Sequence, residues 1–216
     1  MSRPLKQRAL EATGLASAGV FLGALVTRLA GCVDGFPGLA IVTVGAFVGY
    51  AIADIVSGAV HWFCDRVFDE QTRVIGRMVI EPFREHHRDP RAMTDHGMLE
   101  LLGNSALGTA PILWMAWRCF DGLFLDATTV AFGAGVIASN VFHAWAHELQ
   151  PSRTVAWLQA RWFVLPPEQH ARHHRGAHDV AYCMTTGWMN ALADRLRVFM
   201  ALERVLRALR VPVVSG

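Results

Sequence analysis

Apolar residues in this chain arrive in long runs. Glu11–Ala30 is mostly apolar and is interrupted by Arg28 near its end, and Gly38–Phe63 is a second, longer run. The pattern returns over Leu99–Trp117 and Gly122–Ala146, with glycines and other small residues that let helices pack closely in lipid. A helix needs about 20 residues to cross a hydrocarbon core, so the pattern predicts four transmembrane helices. Two later stretches, Ser152–Leu165 and Leu192–Leu209, alternate apolar and basic residues and are too short or too polar to span. They are expected to lie in the membrane plane. Arg195, Arg197, Arg204, Arg207 and Arg210 flank an apolar stripe in the second, and Trp157, Trp162 and Trp188 suit the headgroup level. The expected fold is therefore all-α: an integral membrane four-helix transmembrane bundle with a histidine-rich cap and interfacial amphipathic helices. It forms a single unit over residues 1–216, with no internal repeat, low-complexity tract or separate soluble domain.

Composition agrees, with 53% hydrophobic residues and a mean hydropathy of +0.29. The net charge of +2 hides an uneven distribution. Three Lys or Arg precede the first run, six lie between Phe63 and Leu99 and nine follow Ala146, whereas Gly31–Pro37 has none and the turn near Asp121 has only Arg118 beside it. The positive-inside rule then puts both termini in the cytoplasm, in a bacterial inner membrane or an ER-type membrane, with a basic face suited to anionic headgroups. A secretory signal is the rival reading of Arg3, Lys6 and Arg8 before an apolar stretch, but that stretch is long and lacks a small-residue cleavage site.

On this topology every histidine falls on one side. His61 ends the second run, His143 and His147 end the fourth, and His86, His87, His96, His170, His173, His174 and His178 lie in cytoplasmic segments. Scattered structural histidines would have no reason to segregate. Imidazole is the usual nitrogen ligand for first-row metals, and ten of them are enough for two ions. His143 and His147 are one helical turn apart, about 6 Å between Cβ atoms, and His170, His173 and His174 occupy i, i+3 and i+4 of another face. His86 and His87 diverge by about 100° on a helix, which suits different ions. His178 follows Gly176, a helix breaker, and either folds back towards the metal or stays at the surface. Asp54, Ser57, His61 and Asp65 form one helical stripe, in which the two carboxylates are placed to orient ligating imidazoles, with an exposed interfacial charge as the alternative for Asp65. Asn140 shares a face with His143 and either stands at the metal, directly or through water, or bonds a neighbouring helix.

Other chemistries are excluded by what is missing. Cys32, Cys64, Cys119 and Cys183 form no Cys-x-x-Cys pair, so neither a zinc ribbon nor a redox dithiol is indicated. No Gly-x-Gly-x-x-Gly or phosphate-loop pattern occurs, so reducing equivalents must come from outside. The Glu-x-x-His repeat of soluble di-iron bundles is absent, and a bis-histidine haem would need histidines deep in two spans. No nucleic-acid partner is expected.

Four stretches carry a resemblance. Asp54-Ile-Val-Ser-Gly-Ala-Val-His61-Trp62, Glu81-Pro-Phe-Arg-Glu-His-His87-Arg-Asp89-Pro90, Asn140-Val-Phe-His143-Ala-Trp-Ala-His147, and His170-Ala-Arg-His-His174 continuing to Tyr182-Cys-Met-Thr-Thr-Gly-Trp-Met-Asn190 resemble, in order, the plasmanylethanolamine desaturase family, also called Kua or CarF-like. The resemblance covers about residues 53–190. It implies an integral-membrane di-iron enzyme that uses O2 and external electrons, from a carrier such as cytochrome b5 or a ferredoxin, to place a 1,2 double bond in the alkyl chain of an ether phospholipid. The metal ligands it implies are His61, His86, His87, His96, His143, His147, His170, His173, His174 and His178, with no catalytic side chain beyond them. Gln169 departs from animal members, which have a further histidine there. Related plant enzymes act on an acyl chain, so an acyl-lipid desaturase or a lipid hydroxylase of the same type stays open, as does a non-enzymic metal carrier or sensor.

Overall fold

The computed structural model describes residues 4–73 and 75–214. It is all-helical among the described residues, apart from one isolated bridge between Val67 and Val213. The chain divides into two compact units. One comprises Met1–Ala53 with Gly97–Val141, the other Asp54–His96 with Phe142–Gly216.

The first unit is built from α1 (Leu5–Cys32), the N-terminal part of α2 (Gly35–Arg66), α4 (Met98–Cys119) and most of α5 (Leu123–His147). Polar side chains in these helices satisfy themselves locally, as an apolar surrounding requires. Thr13, Thr27, Thr43 and Thr129 each donate to the carbonyl four residues back at 2.8 Å. Glycines set the close approaches. A Cβ at Gly103 would stand 2.5 Å from Cβ of Glu11, and one at Gly49 would stand 2.0 Å from the carbonyl oxygen of Thr128. Ala18, Leu25, Ala106, Ala110, Leu113 and Ile137 form the core between α1, α4 and α5. Arg28, the charge that interrupts the first apolar run, donates from Nε and Nη2 to the two oxygens of the buried Asp126 and from Nη1 to the carbonyl of Trp117 at 3.1 Å. An unpaired charge here would be costly. Outward residues are apolar: Val20, Phe36, Phe47 and Trp114 are each more than half exposed. Such a surface belongs against lipid.

Among the described residues, three helices are long and apolar enough to cross a membrane: α1, α2 and α5. The stretch expected as the fourth span forms the helix α4, which carries Glu100, Asn104, Ser105 and Thr109 and is not among those three.

The second unit opens with the end of α2 from Asp54. A π-helical turn (Gly76–Ile80) leads into α3 (Glu81–Arg88) and a 3-10 turn (Ala92–Asp95). The end of α5 from Phe142 is followed by α6 (Arg153–Ala160), α7 (Pro167–His173), α8 (Asn190–Arg195) and α9 (Val198–Ala208). Ser152 caps α6 by accepting from the backbone N–H of Val155, and Pro167 at the first position starts α7. The two stretches expected as in-plane helices are both broken. Trp162, in a left-handed conformation (φ +59°), ends the first; Arg197 (φ +51°) separates α8 from α9 in the second. Trp62, Val67, Tyr182, Ala193 and Phe199 form the core of this unit. Residues 212–214 fold back along α2's end, with the N–H of Val214 donating to Arg66 and the N–H of Phe68 donating to Pro212.

Gly49→Ala is expected to lower the thermal midpoint of the detergent-solubilised protein, because overpacking a tight helix crossing costs about 1–3 kcal/mol. Gly108, which has nothing within 4 Å of its would-be Cβ, serves as the control. Gly108→Ala is expected to be neutral or slightly stabilising through helix propensity. Equal midpoints for the two variants would contradict the packing.

Candidate metal centre

All ten histidines belong to the second unit. His61 comes from the last turns of α2, His86 and His87 from α3, His143 and His147 from the last turn of α5, and His170 and His173 from α7. His174 is the C-cap of α7, and His178 sits in the following loop at φ +51°. His61, His86, His143, His170 and His173 are fully or almost fully buried.

Three ligand groups emerge. One nitrogen from each of His86, His143, His147, His170 and His174 lies within 4.8 Å of all the others, and the same holds for His61, His86, His87 and His173, and for His87, His174 and His178. His86 is common to the first two groups. His96 follows the 3-10 turn and belongs to none of them.

Geometry tests whether a metal fits. The Nε2 of His170 lies 2.9 Å from that of His143, 2.8 Å from that of His147 and 2.8 Å from that of His174. A neutral imidazole nitrogen offers one proton or one lone pair, so His170 Nε2 satisfies at most one of those three neighbours. The separations match neighbouring corners of an octahedron with metal–nitrogen bonds of roughly 2.1 Å. Both ring nitrogens of His86, with Nδ1 of His143 and His170, are buried without a hydrogen-bond partner. Around the second group, Asp65 Oδ2 lies 3.2 Å from Nε2 of His61 and 3.3 Å from Nε2 of both His87 and His173. These distances are short enough for ion pairs, yet neither Asp65 oxygen nor His61 Nε2 has a well-directed hydrogen bond. His87 and His173 face each other at 3.2 Å between their Nε2 atoms, and a carboxylate and three imidazoles converging on one point fit a shared cation.

Electrostatics keep the ligands in their binding form. Burial first, and the neighbouring imidazoles second, push His86, His170 and His174 well below the ordinary histidine range, and burial also lowers His178. Neutral imidazole is the form that ligates.

What orients the rings differs from the sequence expectation. His61 Nδ1 is 3.1 Å from the carbonyl oxygen of Tyr182, and His173 Nδ1 is 2.8 Å from that of Val180. Donation to a carbonyl puts the proton on Nδ1 and leaves the Nε2 lone pair facing inward. Asp54, expected to bond an imidazole, instead accepts backbone N–H bonds from Thr186 (2.7 Å), Gly187 (2.9 Å) and Met189 (2.9 Å). Ser57 Oγ, one turn on, accepts from the N–H of Met184, and Asn190 Oδ1 accepts from that of Cys183. Asp54 thus holds residues 186–189, a few positions after the Val180 and Tyr182 carbonyls in the same segment. Asn140 donates its amide to Ser105 Oγ at 3.1 Å, which ties α5 to α4.

The profile of the lipid desaturase domain matches residues 50–211, a stretch that holds every histidine described above. The chain belongs to the lipid desaturase family. A plasmanylethanolamine desaturase from Myxococcus xanthus is 35% identical over 208 residues, covering 92% of this chain and 72% of that protein. Plasmanylethanolamine desaturase 1 from Mus musculus is 33% identical, covering 78% of the chain and 66% of the relative. The chloroplastic fatty acid desaturase 4-like 2 of Arabidopsis thaliana is also 33% identical, over 76% and 59% respectively. No solved structure matches the chain. The resemblance carried by the four motifs is thus borne out, and membership makes the chain a desaturase-type oxidoreductase with a histidine cluster compatible with metal. For a lipid desaturase the matched stretch is longer than the four motifs, since it takes in α9 and ends at Val211, just before the segment folded back on Arg66.

Asp54→Asn replaces one acceptor oxygen by a donor facing a backbone N–H, a loss of about 1–3 kcal/mol. Faster hydrogen exchange over residues 181–190 and reduced bound metal are the expected results. Unchanged exchange and metal content at equal expression would remove this role.

Proposed function

We propose that this lipid desaturase forms the 1,2 double bond of a vinyl ether in the alkyl chain of plasmanylethanolamine, giving a plasmalogen, at a histidine-held pair of iron ions. The observation that carries the reading is the pair of imidazole groups meeting at His86, in a chain with two relatives named plasmanylethanolamine desaturase. His143, His147, His170 and His174 would hold one ion, and His61, His87, His173 and Asp65 the other, with His86 between them. His178 would join at the edge formed with His87 and His174, and His96 is assigned a supporting place outside these groups.

Acid–base side chains alone cannot break an unactivated C–H bond; the iron pair supplies the oxidising power when O2 and two electrons are available. Overall, the –CH2–CH2–O– unit loses two hydrogens and, with O2, two electrons and two protons, two waters form. The protein's part is positional. Buried His61, His86, His143, His170 and His173 would exclude water from the reacting carbons. Carbonyls of Val180 and Tyr182 fix two ring orientations, so the target carbons meet a rigid centre. Electrons come from an external carrier of the cytochrome b5 or ferredoxin class, drawn to the basic segments by charge complementarity.

Acyl-lipid desaturation is the second reading, favoured by the likeness to the fatty acid desaturase 4-like relative. Expression in a plasmalogen-free host, followed by lipid mass spectrometry, distinguishes the two. Acid-labile vinyl ethers are expected with the unaltered chain and none with His173→Ala, alongside two irons per chain. A desaturated acyl chain without vinyl ether, or active protein holding one zinc and no iron, would overturn the proposal.

The whole chain, residues 1–216, is read as one membrane-embedded desaturase domain with four spans, α4 being the fourth, and with the histidines and both termini on the cytoplasmic side. The Lys and Arg asymmetry supports it. Reporter fusions after Gly35 and after Gly216 should report opposite sides, and a result on the same side would contradict this topology.

A further inference from the structure

A cavity of about 200 Å³ opens beside the second group of imidazoles, lined by Asp65, Arg66, Arg84, His87 and His178, with Val214 closing one wall. Two guanidiniums in a space this small are unexpected if it holds only water. Arg84 is fixed by donating from Nε to the carbonyl of Cys64 (3.1 Å) and from Nη2 to that of Phe68 (2.8 Å). Carbonyls hold a guanidinium in place but leave its charge uncompensated, and among the described residues no carboxylate pairs with it. Arg66 is ion-paired with Glu203 at 3.4 Å, while its Nε is buried without a hydrogen-bond partner. Asp65 contributes the cavity's one carboxylate, with Oδ2 turned to the Nε2 atoms of His61, His87 and His173. Arg84 is the guanidinium left facing the cavity with carbonyl partners alone, and a partly buried charge so placed favours an anion beside it.

We propose that Arg84 and Arg66 bind the phosphodiester of the substrate lipid and so set which carbons reach the metal centre. This inference rests on the vinyl-ether reading above, and the chemistry supplies the distance. The carbon next to the ether oxygen is separated from the phosphorus by six bonds through glycerol, about 7–8 Å at full extension. A desaturase acting at that carbon must therefore hold the phosphate within about one side-chain length of its metal ligands. The cavity meets that demand because His87 and His178, both members of ligand groups, form its wall. Its volume accommodates a phosphate and part of a glycerol, not an alkyl chain. Arginine suits the task, since its planar fork matches two phosphate oxygens at once. Anchoring the headgroup fixes the count of bonds from phosphate to reacting carbon, which makes the position of the double bond a property of the arginines as well as of the metal.

The test uses the full chain, metal-loaded and in detergent. Binding is measured for a short-chain dialkyl glycerophosphoethanolamine, for the matching dialkylglycerol that lacks phosphate, and for inorganic phosphate. The unaltered protein is expected to prefer the phospholipid over the dialkylglycerol by tenfold or more, and inorganic phosphate is expected to compete only weakly. Arg84→Gln and Arg66→Gln should each reduce that preference about tenfold while dialkylglycerol binding and bound metal stay unchanged, and Arg84→Lys should retain an intermediate preference. Should Arg84→Gln fail to fold because the Cys64 and Phe68 carbonyls lose their donor, Arg66→Gln gives the same reading. Equal affinity for the two lipids, equal binding of free phosphate and phospholipid, or a preference surviving in both folded variants overturns the site. Vinyl-ether formation measured on the same unaltered protein separates the two readings. If it forms without phosphate preference the arginine site fails alone; phosphate preference without vinyl ether supports the site and removes the reaction.

Discussion

Imidazoles that crowd together in a dry interior have nothing to bond with but one another, and each ring can share a proton only once. Around His170 three partners approach within 2.9 Å, so the cluster is electrostatically incomplete as protein alone. Protonating the rings would relieve the lone-pair conflict but would place several positive charges in a buried space, which burial and mutual repulsion oppose at His86, His170 and His174. A bound cation removes both difficulties. The remaining architecture of the second unit serves this requirement: helix ends bring the rings in, and the backbone of the segment after His178 sets their tautomers.

The desaturase's two units solve opposite solvation problems. In the first, many outward residues are apolar, and polar groups are answered within a helix, by the Asn140–Ser105 bond between helices, or by pairing, as Arg28 does with Asp126. In the second, backbone polar groups of an irregular segment are buried near charged ligands and need dedicated acceptors. Asp54, Ser57 and Asn190 supply them, and for that reason polar side chains stand in an otherwise apolar stretch of α2 and at the start of α8.

Much of this was legible in the residues. The long apolar runs and the i, i+3, i+4 spacing of histidines reflect helical geometry, which sequence carries directly. Asp54 was recognisable as functional, because a carboxylate in an apolar run demands partners, but those partners are backbone N–H groups more than 130 positions away and leave no mark on residue type. The same is true of the Val180 and Tyr182 carbonyls that orient His173 and His61. His96 was grouped with the others by proximity in sequence, yet an irregular turn imposes no periodic face to align it. The helix break at Arg197 was hidden because a single left-handed residue that is neither glycine nor asparagine carries no breaker signal.

The pairing of residues 212–214 with the end of α2 has a consequence for the order in which the protein is made. Val214 forms part of the wall beside Arg66 and His87, and it lies after every membrane helix in the chain. Synthesis runs from the N-terminus, so the apolar helices and all ten histidines are made before this short segment. The wall of the pocket beside His87 can therefore form only after every ring of the cluster has been made.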